Sequence, residues 1–389
     1  MRKLFKLLSL LLVSTFAHAA YEDHFPVYYE YCTGTQWKLQ SGEVGGSPGH
    51  GFAYIHGLCK DYRSAYPQVI PCSEVSAEMK KNHPHEGVGI SLDKNFSNVM
   101  WVAVPGRDLM LFGNKEIKAI SNADAKEHVE RITELKVFDE VISKSEALKD
   151  IPQNTPEYLS AIANDTLGTD HAVNWARELH CVKIPATQDS LAGVTKFLND
   201  SNNQYKDGPG YEWSKLSNNC VHLSINASSA MGLNGSIKLD QKYLKMLTNM
   251  ALPANGFLMY ADHAVLSKMP SNKLLKKVLP EDGLYPAQVG SILEAHKAYP
   301  SGEKFNTDEL TVLTGPRLFK PFKLLATPRK YEKKYMTPNN SELKANAEMW
   351  SERYESLLQD LKKKDRGPEV ERYLLKQLEI SNKIISTEN

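Results

Sequence analysis

Long hydrophobic runs are scarce in this sequence. Beyond the first 20 residues no stretch of about 18 apolar residues occurs, so we predict no stable membrane insertion of the mature chain. An excess of one charge is also missing, because 47 basic residues face 46 acidic ones. Such a balance gives no electrostatic reason to bind nucleic acid or an anionic membrane, and we expect neither as a partner.

The first 19 residues have the pattern of a secretory signal peptide. A short basic start is followed by an apolar stretch over residues 7–16 and by the small-residue cleavage signal Ala17-His18-Ala19. Cleavage before Ala20 would remove three basic residues and leave 44 basic and 46 acidic ones in a mature chain of 370 residues. We therefore expect an exported protein, periplasmic or secreted, that is soluble after cleavage.

Cysteine is sparse and its count is odd. The five cysteines are Cys32, Cys59, Cys72, Cys181 and Cys220. Export permits disulfides, and an odd count leaves at least one thiol unpaired. Cys220 is our candidate for that thiol. The other four allow three pairings, of which we favour Cys59 with Cys72 because they bracket a compact loop.

The stretch Asn218-Asn219-Cys220-Val221-His222 is the most informative in the chain. Cap-type residues precede Cys220, and a mostly apolar helical run follows it, closed by Gly232 or Gly235. A thiol in the first turn of a helix lies at the positive end of the helix dipole, which favours the nucleophilic thiolate. The pattern predicts a catalytic Cys220, a capping Asn219 and a structural His222. A buried, inert cysteine is the alternative.

A catalytic thiol also needs an imidazole to take and return the proton, and a third polar group to orient that imidazole. His50 is our candidate because it opens a predicted strand over 50–58.

Further strands are predicted at 88–92, 99–104 and 182–184, and helices are predicted mainly over 114–180 and 190–199. A charged helical hairpin, broken at Gly367-Pro368, is predicted over 340–389.

The order of the two motifs resembles the circularly permuted papain-like thiol hydrolases. These include the lecithin:retinol acyltransferase-like proteins and permuted relatives of NlpC-type cell-wall endopeptidases. In that family a histidine begins a strand in a pattern like His-x-Gly-Ile-Tyr, and the cysteine follows in a pattern like Asn-Cys-x-His-Phe. The matching stretches here are His50–Ile55 and Asn219–Leu223. The resemblance covers roughly residues 40–235.

The resemblance implies an α+β fold: a permuted papain-like core, with an antiparallel sheet and packed helices, plus a C-terminal helical extension. We expect a signal peptide over 1–19, the catalytic domain over 20–250, a mixed segment packed on it over 251–339, and the hairpin over 340–389. The family position of the third catalytic residue falls on Asp93. Asp108, His83 and His85 are alternatives.

The expected activity is hydrolysis or acyl transfer on an amide or ester through a Cys220–His50 acyl-enzyme mechanism, with no cofactor or metal. The family and the export signal imply a peptide, a peptidoglycan-type amide or a lipid acyl group as substrate. The competing interpretation is a non-enzymatic exported binding protein whose C-terminal helices dock a protein partner. A zinc hydrolase is a third interpretation, with imidazoles from His83-Pro84-His85-Glu86, His50 and His56.

Overall fold

A computed structural model of the chain describes a defined set of residues: 21–34, 50–92, 96–111, 130–138, 140–141, 150–152, 155, 179–214, 218–233, 253, 256–257, 260–261, 294–297, 304–306, 311–313, 337, 342–361, 363 and 368–388. The predicted signal peptide and most of the helices predicted over 114–180 lie outside this set. In the part of the chain that is described, no helix combines the length and the apolar character needed to cross a membrane.

The centre of the fold is a six-stranded antiparallel sheet with the strand order β6-β5-β2-β1-β7-β8. Its strands are β1 (Tyr28–Gly34), β2 (His50–His56), β5 (Val88–Leu92), β6 (Trp101–Pro105), β7 (Leu179–Pro185) and β8 (Glu294–Lys297). Two small ribbons pair β3 (Leu58–Lys60) with β4 (Val69–Pro71), and β9 (Lys304–Asn306) with β10 (Thr311–Leu313). This sheet and its helices confirm the α+β class.

The helices are α1 (Tyr21–His24), α2 (Ala77–Asn82), α3 (Arg107–Leu111), α4 (Ser190–Lys206), α5 (Cys220–Ala230), α6 (Leu343–Leu361) and α7 (Pro368–Thr387). The strands and helices predicted in the described ranges occur close to their expected positions. Strand β2 ends at His56 because Gly57 has a φ of +94°, which turns the chain before β3.

Side chains alternate between the two faces of the sheet. We call one the helix face; it carries Tyr29, Tyr31, Ala53, Ile55 and Ile90, which stand in register across the strands. We call the other the disulfide face; it carries Cys32, Phe52, Ser91, Val102 and Cys181. Helix α5 packs on the helix face, where the Tyr29 hydroxyl donates to the Ser224 carbonyl oxygen at 2.7 Å.

Four of the five cysteines form disulfides. Cys59 bonds to Cys72, which confirms the pairing favoured from the sequence, and Cys32 bonds to Cys181 across the directly paired strands β1 and β7. Cys220 is the free cysteine, as expected from the odd count. Two disulfides are compatible with an oxidising compartment.

The C-terminal helices α6 and α7 form the predicted hairpin, with α7 beginning at Pro368. Its apolar residues belong to the same buried cluster as the sheet and α5; they include Trp350, Tyr354, Tyr373 and Leu374. The far end of α7 reaches the start of the chain, where the Glu388 carboxylate lies 3.9 Å from His24 Nε2. The hairpin thus packs on its own chain.

Candidate functional site

Cys220 is the first residue of α5, and Asn219 caps that helix. The Asn219 backbone is extended, and its side-chain oxygen accepts hydrogen bonds from the backbone N–H groups of Val221 and His222 at 2.9 and 3.2 Å. The predicted capping role is confirmed. The cap places Cys220 where unpaired N–H groups make the helix terminus electropositive. The residue as a whole is 8% exposed.

The loop before α5 ties Cys220 to one end of the sheet. The Tyr211 N–H donates to the Ser97 carbonyl oxygen at 2.6 Å, in the connection between β5 and β6. The Tyr211 hydroxyl donates to the Asn218 carbonyl oxygen at 3.0 Å. Cys220 therefore lies at the end of the sheet where β5 finishes and β2 starts.

His50 lies at this same end, on the other face. Its Nε2 is 3.0 Å from the Ser91 hydroxyl oxygen, and its ring stacks on Phe52 with centroids 5.9 Å apart. Ser91 alternates with Ile90 and so belongs to the disulfide face. The structure brings the two predicted residues to one end of the sheet, with the imidazole of His50 facing away from α5.

Among the described residues, Ser91 is a polar partner of His50 that we did not predict. The predicted third residue, Asp93, lies outside the described residues. The alternatives for the third catalytic residue lie far from His50. The His85 ring lies against Gly106, which follows β6 at the opposite end of the sheet. Asp108 is near His85, where its charge acts to raise the pKa of that imidazole. Burial and the charge of Arg131 outweigh that influence and lower the pKa of His85. His83 stacks on Tyr62 near that same end.

A second buried imidazole, His180, is on the helix face. It precedes Cys181 in β7, so its side chain points to the same face as Val182 and α5. It pairs with Thr33, next to the Gly34 that pairs with His50, which places both histidines at one end of the sheet. Its ring meets Phe257 edge-on at 6.1 Å. One sequence signal could have identified His180: like His50, it lies near the start of a predicted strand.

Within the described ranges, one group of side chains has metal-ligand atoms close together: Glu30, Cys32 and Cys181. Both sulfurs are bonded to each other, and Glu30 forms a two-pronged ion pair with Arg107, with both N–O distances 2.8 Å. The ligand atoms of these three side chains are thus already used in a disulfide and an ion pair. The histidines proposed for a zinc site, His83, His85, His50 and His56, form no such group there.

Comparison of the chain with protein-family models, with curated proteins and with solved structures finds no match. The case for a function therefore depends on the chemistry of the site.

Proposed function

We propose that this protein is an exported cysteine hydrolase or acyltransferase acting on an amide or ester, with a permuted papain-like core. The observation that carries the proposal is Cys220: it is the one cysteine kept out of the two disulfides, and it begins a capped helix packed on the sheet. The unpaired N–H groups of the first helical turn make this end of the helix electropositive.

In this mechanism the Cys220 sulfur attacks the substrate carbonyl carbon and forms an acyl-enzyme. A histidine takes the thiol proton and passes it to the leaving amine or alcohol. Water then attacks the acyl-enzyme and releases the acid, or an amine or alcohol takes the acyl group instead. The backbone N–H of Cys220 is the candidate donor to the developing oxyanion.

Two histidines compete for the role of base. His50 is favoured by the resemblance, and its hydrogen bond to Ser91 supplies the orienting group. To reach the Cys220 thiol, the His50 side chain would have to move from the disulfide face to the helix face at the start of β2. His180 is favoured by its position on the helix face.

The second candidate function is a non-enzymatic exported binding protein. The observation that favours it is the burial of Cys220, since buried cysteines are commonly inert.

The test is the rate of iodoacetamide labelling of the non-reduced mature protein from about pH 4 to about pH 9, with labelled residues mapped by mass spectrometry. Variants His50→Ala and His180→Ala are compared with His56→Ala, a control at the other end of β2. We expect selective labelling of Cys220 at acidic pH, slowed by one of the first two substitutions and unaffected by the control.

Two results would reject the hydrolase. One is a Cys220 that labels only after the protein unfolds. The other is labelling with the same pH profile in all three variants. Either result would leave the binding protein as the better account.

A further inference from the structure

A group of residues that follows α5 in the chain lies on the helix face, beside the candidate site. We call it the cover segment, and its described residues are Pro253, Gly256, Phe257, Tyr260 and Ala261. Phe257, Tyr260 and Ala261 are at most 1% exposed and belong to the same buried cluster as Cys220. The cover segment thus contributes to shielding this face of the sheet from solvent.

The cover segment lies against one of the two candidate bases. The Phe257 ring meets the His180 ring edge-on with centroids 6.1 Å apart, and both residues are buried. A base that passes a proton to a leaving group needs the substrate within hydrogen-bond reach. Phe257 therefore occupies space beside His180 that a bound substrate would need.

The same segment fills the helix face where β2 begins. The Tyr31 hydroxyl donates to the Pro253 carbonyl oxygen at 2.8 Å. A Cβ atom built on Gly51 would be 2.7 Å from that hydroxyl oxygen and 3.5 Å from Pro253 Cβ. Because Gly51 directly follows His50, Tyr31 and Pro253 occupy the place into which the His50 side chain would have to move to reach the helix face.

Tyr260 attaches the cover segment to both the sheet and α5. Its ring lies 6.0 Å from the Tyr29 ring and 5.5 Å from the Tyr31 ring, measured between centroids. Its hydroxyl group is hydrogen-bonded to the Ser228 hydroxyl of α5. The segment is therefore held by the strand β1 and by the helix that carries Cys220.

These attachments are of a kind that can be released without opening the sheet. In the described part of the chain, the cover segment takes part in no strand pair and in no disulfide. Its attachments there are ring contacts and hydrogen bonds of tyrosine hydroxyl groups, which water can replace at modest net cost. Displacement of the segment would leave the sheet and α5 in place.

We propose that the cover segment is an autoinhibitory lid, and that the described arrangement is the closed, resting state of the enzyme. This inference rests on the proposed function. It accounts together for a covered His180, a His50 that faces away from α5, and a Cys220 that is 8% exposed. A reagent or substrate reaches the thiol in the open fraction of molecules, so the observed rate scales with that fraction.

The test is the iodoacetamide labelling rate of Cys220 in the full mature protein with a loosened cover segment. Phe257→Ala removes the ring beside His180. Gly256→Ala places a methyl group against Tyr31, since a Cβ atom there would be 2.4 Å from the Tyr31 hydroxyl oxygen. Both substitutions should raise the labelling rate by about tenfold or more, because both raise the open fraction.

Phe138→Ala is the matched control. Phe138 is a buried ring in the cluster on the disulfide face, so its loss destabilises the fold without touching the cover segment. We expect its labelling rate to equal that of the wild type. Urea unfolding of all the variants shows whether the control has lost as much stability as Phe257→Ala.

Unchanged rates in both cover variants would overturn the lid, and so would an equal rise in a comparably destabilised Phe138→Ala. The pH profile judges the hydrolase separately. Labelling that follows an ordinary thiol pKa of about 8.5 in every variant rejects the hydrolase and with it the autoinhibitory role. Labelling that persists at acidic pH, at the same rate in all variants, rejects the lid and leaves the hydrolase standing.

Discussion

Gly193 of α4 lies against the last residue of α5, so that a Cβ atom built on Gly193 would be 2.3 Å from the Ala230 carbonyl oxygen. The absence of a side chain at this point lets the two helices approach closely. Since α5 carries Cys220 at its other end, this contact helps to set the placement of the candidate nucleophile.

The substitution Gly193→Ala tests that contact, because the contact should reverse the usual sign of the change in the free energy of unfolding. In a helix interior this change normally stabilises a protein by about 1 kcal/mol. Here we expect a loss of about 1–3 kcal/mol, because α5 must move away from the new methyl group. Urea unfolding gives the free energy. A more stable Gly193→Ala protein would contradict the close approach.

The cap of α5 should contribute measurably to stability. Asn219→Ala removes the acceptor for two backbone N–H groups and should lower the free energy of unfolding by about 1 kcal/mol. Asn219→Ser keeps a capping oxygen and should stay close to the wild type. Equal stability of the two variants in urea would show that the cap contributes nothing.

Asn202 is a fully buried amide that holds α4 to β6. Its oxygen accepts from the N–H groups of Met100 and Trp101, and its nitrogen donates to the carbonyl oxygens of Pro67 and Trp101. Asn202→Leu would leave these buried groups without partners, and we expect a loss of about 3 kcal/mol or more. The neighbouring, exposed Asn203 is the matched control, and Asn203→Leu should change the stability by less than about 0.5 kcal/mol.

Acid should weaken the contact between α1 and the sheet through Glu22. Burial would raise the pKa of Glu22, but the Lys183 ammonium group and the Tyr28 hydroxyl, which donates at 2.7 Å, outweigh it and hold the pKa below its ordinary value. A carboxyl with a lowered folded pKa stabilises the protein above its unfolded pKa of about 4.3, and this contribution is lost as the pH falls through the folded value.

Comparison of the wild type with Glu22→Gln by urea unfolding, from about pH 6 to about pH 3, checks this sign. The wild type should be the more stable protein at the upper end, and the difference should shrink toward the lower end. A difference that grows on acidification would show that the carboxylate is not stabilised in the folded state.

The local elements were predictable because their signals are local. Cap residues before Cys220 located α5, and the Gly367-Pro368 break located the start of α7. The face of the sheet occupied by His50 was not predictable, because the first six residues of β2 are all buried, so no polar alternation marks the two faces. Ser91 and His180 were missed because only the register between strands places them near the site.

The bond between Cys32 and Cys181 also determines what a broken chain would do. A single backbone cleavage between residues 33 and 180, outside the smaller 59–72 loop, would yield two fragments that remain covalently joined through β1 and β7. On a non-reducing gel the nicked protein would migrate as one species, and a reductant would separate it into two. The two parts of the sheet that carries the candidate site would thus stay covalently linked after the polypeptide is cut.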